Sequence, residues 1–392
     1  MKVLIVNSVC GIGSTGKICV DIANCLNSRG HDCVIAYGRG EARGYDNTYK
    51  ISSSFGNKAH YLVSRIFDRH GLGSTFATKK FIKFIKEFNP DVIHLHNLHG
   101  YYLNYKVLFK FLQTYTGKII WTMHDMWAVT GHCACSLECN KWHDGCKNCS
   151  KLKEYPSTFM DNSKKNYELK KSLFTTLKNF TVVTVSYWLK NEFEKSYFKN
   201  CRIEVVHNGI DLSLFKPYET NIREKYNLGE KKVLLAVANS WPERKGLSDY
   251  TKLANKLDDN TKLVMVGLTE EQIKNLPSKI IGITRTENQK QLAELYSTAD
   301  LFVNLTYSDT FGMVNIESQA CGTPVLTYET GGCPETIGTK VGYIVPQGDL
   351  DAVYKIIESF KKDKNMTKLC VEHAMNFRKE DKYLEYAKLI EE

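Results

Sequence analysis

Nowhere does this chain of 392 residues hold the roughly 18 consecutive apolar residues that a membrane-crossing helix needs, which argues against an integral membrane protein. The opening MKVLIVNSV has a single lysine and four apolar residues before Asn7, too short for the core of a signal peptide. The expectation is therefore a cytoplasmic protein whose chain begins on a strand. No short repeat or low-complexity segment occurs, which leaves repeat arrays and disordered linkers without support. An odd count of 13 cysteines fits a closed disulfide framework poorly, and in a reducing compartment most should be thiols. Charge of one sign is not extreme either. With 53 basic against 43 acidic residues, the net +10 admits an anionic partner without choosing among nucleotide, nucleic acid and membrane surface.

What is present is a 43% apolar content, enough for two or three packed domains. Short β-branched runs alternate with helical patterns: VLIVNS, CVIAYG, DVIHLH, KIIWTMHD, FTVVTVS and RIEVVHNG, with helices expected from about Ser14 to Arg29 and near Thr78 to Phe88. A second series runs through KKVLLAVANS, TKLVMVG, KIIGIT, LFVNLT and TPVLTY. Such βαβ alternation predicts the α/β class, with parallel sheets covered by helices. The division expected is two Rossmann-like domains facing across a cleft, residues 1–205 and 206–365. A helical segment at 366–392, with an apolar stripe of Phe377, Tyr383, Tyr386 and Leu389, is expected to pack back on the first domain.

In doubly wound sheets ligands sit beyond the carboxyl ends of the strands. The run Tyr307 to Glu335 is dense in such loop chemistry: two acids eight positions apart, a Phe-Gly step and a Gly-Thr-Pro turn. Gly312 allows close backbone approach, and the helix expected to start at Met313 offers unpaired N–H groups to a phosphate. After the first strand, CGIGSTGKI nearly fits two motifs. A phosphate loop would need Ser or Thr where Ile18 stands, and a dinucleotide fingerprint would need an acid where Gly38 and Arg39 stand. A third reading has the loop bring Gly13 and Ser14 against a sugar diphosphate held mainly by the other domain; a purely structural glycine turn is the fourth.

Three stretches together resemble the retaining glycosyltransferases of family four. They are GSTGKICVDIANCLNSRGHDCVIAYGR, VVHNGIDLSLFKP and SDTFGMVNIESQACGTPVL, the last matching an acid, seven residues, acid signature. TMHDMWAVTGHC and the cysteines after it further resemble a branch acting in capsule, colanic-acid and O-antigen assembly. The resemblance implies a GT-B fold and a nucleotide-sugar donor, UDP- or GDP-linked. By position it implies Glu317 on the ribose hydroxyls, Asp309 near the donor sugar, and backbone donors from Phe311, Gly312, Met313 and Val314. Lys245 stands where the family neutralises the diphosphate. Ser240 occupies the position of the family's arginine, with Arg244 as its substitute. Fixed cations there would stabilise charge gathering on the leaving diphosphate. His124 matches a histidine near the transferred sugar and acceptor. Retention is implied without an enzyme nucleophile, the leaving phosphate accepting the acceptor's proton, and without a divalent metal.

The insert at about 131–150 holds Cys133, Cys139, Cys146 and Cys149 at a spacing that would enclose one structural zinc; free thiols and disulfides are the other readings. His94 and His96 read as packing or acceptor-lining residues. The basic helix TKKFIKFIKEF reads either as a covering helix or as a contact with the inner membrane surface. The function expected is transfer of a sugar to a glycan acceptor, lipid-linked, in surface polysaccharide synthesis, with no nucleic acid involved. Its rivals are glycosylation of a small phosphorylated acceptor and a non-catalytic sugar-nucleotide-binding module.

Overall fold

The computed structural model describes residues 1–136 and 139–392 and separates into two units, Met1–His207 with Glu380–Glu392, and Asn208–Lys379. In the first unit the apolar runs become β1 (Lys2–Asn7), β2 (Asp32–Tyr37), β3 (Thr48–Lys50), β4 (Val92–Leu95), β5 (Lys118–Met123), β6 (Phe180–Thr184) and β7 (Arg202–Val205). They pair in the order β3-β2-β1-β4-β5-β6-β7, every pair parallel. Strands covered on both faces need continuous rather than alternating apolar sequence, and Val3 to Val6 are all fully buried.

Helix α1 (Gly13–Ser28) follows β1. Ile18, Cys19, Ile22, Ala23 and Leu26 form its buried stripe at helical spacing. Gly30, at φ +84°, ends it in the left-handed conformation that favours glycine. Two more helices, α2 (Ser54–Phe67) and α3 (Thr75–Phe88), cover the region before β4. The terminal helix Lys379–Glu391 joins the same core through Tyr383, Tyr386, Leu389 and Ile390. Its end is pinned where Glu391 meets Arg29 at 2.6 Å and His31 at 2.9 Å.

The second unit contains β8 (Lys232–Val237), β9 (Thr261–Val266), β10 (Ile280–Ile283), β11 (Leu301–Asn304), β12 (Val325–Tyr328) and β13 (Gly342–Val345), ordered β10-β9-β8-β11-β12-β13 and again all parallel. The helix Lys364–Ala374, grouped by sequence with the terminal segment, packs in this unit against the helix Met313–Ala320. Strand order reverses between β1 and β4 in one sheet and between β8 and β11 in the other, so each unit has a topological switch point where its loops part to form a crevice. No helix among the described residues is long and apolar enough to cross a membrane.

Candidate functional site

At the switch point of the second unit, the loop after β8 and the loop after β11 are pressed together. Gly246 permits this: it sits at φ +79°, and a Cβ there would fall 2.1 Å from the Leu305 carbonyl oxygen. The Tyr307 N–H donates to the Arg244 carbonyl at 2.9 Å, tying one loop to the other. Lys245, in the 3-10 turn Glu243–Lys245, then donates from Nζ to Asp309 Oδ2 at 2.8 Å.

Asp309 is held at both carboxylate oxygens. Its other oxygen, Oδ1, accepts from the N–H groups of Phe311 at 3.3 Å and Gly312 at 3.0 Å. Burial pushes this carboxyl up, but Lys245 and the two N–H groups outweigh burial and hold it below its ordinary range. Gly331 and Gly332 make room from the far side, since a Cβ on Gly331 would lie 1.9 Å from the Asp309 carbonyl oxygen.

Gly312, at φ +86°, starts the helix Met313–Ala320 and offers it no side-chain cap, leaving first-turn N–H groups open to an anion. Met313, Val314 and Glu317 are the partly exposed residues of that helix, while Asn315, Ile316, Ser318 and Gln319 are buried. Glu317 is oriented from below by Tyr296, whose hydroxyl donates to Oε2 at 2.9 Å. Arg244 is exposed, and no carboxylate pairs with it among the described residues; Ser240 is exposed on the same loop. One part of the site therefore gathers Lys245, Asp309, Phe311 and Gly312 tightly, with Glu317 one turn along the helix.

Sequence reasoning missed the supports. Asn304 Nδ2 donates to Asn315 Oδ1, Asn315 Nδ2 to Thr336 Oγ1, and Gln319 Nε2 to the Thr336 carbonyl, all at 2.7–2.9 Å, locking the helix to the turn Cys333–Thr336. Tyr307 and Tyr328 both donate to buried Asp249, at 2.6 and 2.9 Å, and so fix the loop after β11. The polar residue at the end of β11 and the Gly-Gly pair were the available signals. The chain's one Asp-x-Asp triplet is used structurally: Asp349 caps the helix Leu350–Ser359 through Ala352 N–H, and Asp351 pairs with Lys256.

In the first unit, Gly13 and Ser14 are exposed at the start of α1. Gly11 is there for packing, because a Cβ would fall 1.8 Å from the Arg43 carbonyl oxygen. His124, after β5, lies 3.0 Å from His96 Nδ1 through Nε2. Burial outweighs the attraction of Asp125 and lowers the His124 pKa to about 4, so the ring is neutral near pH 7. Asp125 instead holds His99, Oδ2 to Nε2 at 2.8 Å, and His99 Nδ1 lies 3.2 Å from the Tyr155 hydroxyl. His94 and His96 are fully buried; His94 Nε2 meets Thr122 Oγ1 at 2.8 Å, a packing role.

The zinc expectation is not met. Cys133, Cys139, Cys146 and Cys149 do line one pocket, with Thr130, Trp142 and Lys151. Yet no three His, Cys, Asp or Glu side chains among the described residues are close enough to hold a metal, and the cysteines are free thiols. The Cys146 sulfur accepts from Gly131 N–H at 3.1 Å, and burial pushes the Cys133 thiol up to about 12. The basic helix also resolves to the covering role: Phe81 and Ile85 of α3 are buried, and Phe84 stacks on Tyr49 at 4.1 Å.

Comparison with known proteins agrees with this geometry. The family model described as Glycosyltransferase Family 4 matches residues 15–214, and the one described as Glycosyl transferases group 1 matches residues 219–379. A putative colanic acid biosynthesis glycosyl transferase, WcaC of Escherichia coli strain K12, is 21% identical over 89% of this chain and 88% of its own. A D-inositol 3-phosphate glycosyltransferase of Mycobacteroides abscessus is 28% identical, over 45% of this chain and 43% of its own. Among solved structures, sucrose-phosphate synthase from Thermosynechococcus elongatus superposes with a TM-score of 0.75 at 17% identity, covering 99% of this chain and 98% of that one. Anabaena HepE in complex with UDP and glucose does so with a TM-score of 0.69 at 15% identity, covering 100% and 99%. Two parallel α/β units with a terminal helix, matched along nearly the whole chain, make this protein a glycosyltransferase of GT-B fold belonging to family four.

Proposed function

We propose that the protein moves a sugar from a nucleotide-sugar, with UDP as the favoured nucleotide, to a lipid-linked glycan acceptor in surface polysaccharide synthesis. The observation that carries this reading is the uncapped start of the Met313–Ala320 helix at Gly312, with the Lys245–Asp309 pair at its mouth and Glu317 one turn further. The helix end and Lys245 supply the positive charge a departing diphosphate calls for, with Arg244 free to join them. Glu317 is preset by Tyr296 to accept two ribose hydroxyls.

Asp309 is ionised and holds three donors, which leaves an acceptor site on Oδ2 for a sugar hydroxyl and suits neither nucleophile nor base. That supports retention by attack from the leaving-group side, the phosphate oxygen taking the acceptor's proton. Neutral His124 adds a hydrogen-bonding group beside the acceptor without adding charge. No divalent metal is needed in this scheme, since fixed side-chain and backbone donors do the neutralising.

The relatives' names supply the polysaccharide context and the UDP preference. Because a relative acts on an inositol phosphate, a small phosphorylated acceptor is the second reading. A thermal-shift panel of UDP- and GDP-sugars, followed by transfer assays on the stabilising donor, tests the proposal. Absence of a shift with every nucleotide-sugar would sink it.

A further inference from the structure

Helix α2 is turned inside out. Its buried side chains are His60 and Ser64, while Phe55 is 82% exposed, Leu62 56% and Phe67 46%. At helical spacing Phe55, Ala59, Leu62, Val63 and Ile66 form one outward stripe, and Lys58 and Arg65 border it. The patch continues onto a neighbouring loop. Phe159 N–H donates to the Arg65 carbonyl at 2.9 Å, and the Arg65 guanidinium lies 4.6 Å over the Phe159 ring. Phe159 is itself 72% exposed, Met160 48% and Phe76, at the start of α3, 83%. Contiguous exposed apolar side chains on this scale mark a contact surface.

Charge on the α2 and α3 side of the patch favours one kind of partner. Residues 47–86 carry eight basic side chains and a single acid, Asp68. That acid is buried against His132 at 2.6 Å and is lost to the surface. Lys58, Arg69, Lys79 and Lys80 are exposed and have no acidic partner among the described residues. A second copy of the chain would bring the same positive face to this one and be repelled. An aromatic and aliphatic stripe edged by lysine and arginine is what seats in the head-group layer of an anionic bilayer.

We propose that the outer face of α2, with Phe159 and Met160, docks the protein on an anionic lipid surface. This moves the main membrane contact away from α3, whose Phe81 and Ile85 are spent on the core. It deepens the lipid-linked-acceptor reading, and it can be measured with no acceptor and no donor present.

The test is co-sedimentation with vesicles of phosphatidylcholine alone or mixed with phosphatidylglycerol. The protein should sediment with the anionic vesicles and hardly with the neutral ones. The variant Phe55→Ser/Leu62→Ser/Phe159→Ser should partition at least about tenfold more weakly, with its melting temperature kept. The variant Lys58→Glu/Lys79→Glu/Lys80→Glu should lose the preference for the anionic lipid. Binding by the serine variant equal to the wild type would overturn the assignment. So would failure of the wild type to sediment, or a wild-type dimer by light scattering that the serine variant dissolves. Loss of vesicle binding with transfer to a soluble acceptor intact is the expected pattern. Loss of transfer alone would bear on the enzymatic reading instead.

Discussion

Lys245 and Asp309, 64 positions apart, meet at 2.8 Å across the two loops of the second unit's switch point, and each is about a quarter exposed. Lys245→Ala removes a fixed cation from the diphosphate side and should lower turnover about a hundredfold or more. Asp309→Asn keeps an acceptor for the Phe311 and Gly312 N–H groups while releasing Lys245, so its loss should be smaller. In a double-mutant cycle read by kcat/KM the two should be strongly non-additive. Additive effects would show that the pair does not act as a unit.

Glu317 is held by Tyr296, so the two should separate in binding assays. Glu317→Gln should weaken nucleotide binding by on the order of tenfold in calorimetry, through loss of charge-assisted hydrogen bonds. Tyr296→Phe keeps the carboxylate but frees its rotamer, and a smaller loss is expected.

Two glycines make a sharp contrast. Gly331→Ala would place a Cβ 1.9 Å from the Asp309 carbonyl at φ +53° and should cost about 2 kcal/mol or more in urea unfolding. Gly13→Ala, at φ +64° with nothing within 4 Å, should cost only about 1 kcal/mol.

Acid should weaken the first unit before any carboxylate titrates. Burial lowers the pKa of His60 to about 4 and of His94 to about 3, from 6.5. As pH falls below about 6.5 the unfolded chain takes up protons that these rings refuse, so stability drops. The drop is about 1.4 kcal/mol per pH unit for each ring. It ends near the folded values, about 4 for His60 and about 3 for His94. Urea midpoints between pH 7 and pH 4 read this directly, and His94→Gln should flatten the slope by one proton.

The buried Asp68–His132 pair anchors the end of α2 to the cysteine-rich segment, with Asp68 Oδ2 also accepting from Asn162 N–H at 3.0 Å. Asp68→Ala strands the histidine and that N–H, and should cost about 3–5 kcal/mol. A loss below about 1 kcal/mol would mean the pair is not formed.

The strands were legible because buried parallel strands need unbroken β-branched runs, which VLIV and VVTV display. Helices α1 and α3 were legible to within a few residues, expected at Ser14–Arg29 and Thr78–Phe88 and found at Gly13–Ser28 and Thr75–Phe88. The three-residue β3 carries too little pattern to see, and β13 went unread although GYIV is apolar. Helix α2 escaped because its stripe faces outward, and periodicity alone does not say which side is the core. At the site, the resemblance to family four pointed to Lys245, Asp309 and Glu317 individually. That Asp309 binds Lys245 and that Tyr296 aims Glu317 depends on strand order, which no local window contains. The cysteine spacing suggested a cage whose distances depend on the path of a long loop.

The last helix has a consequence for how the molecule is made. Residues 380–392 complete the core that begins at Met1, so the first unit is interrupted in sequence while the second, Asn208–Lys379, is continuous. All the residues of the second unit lie on one stretch of chain, whereas the core around β1 and α1 is complete only when Tyr383, Tyr386, Leu389 and Ile390, from beyond that stretch, have joined it.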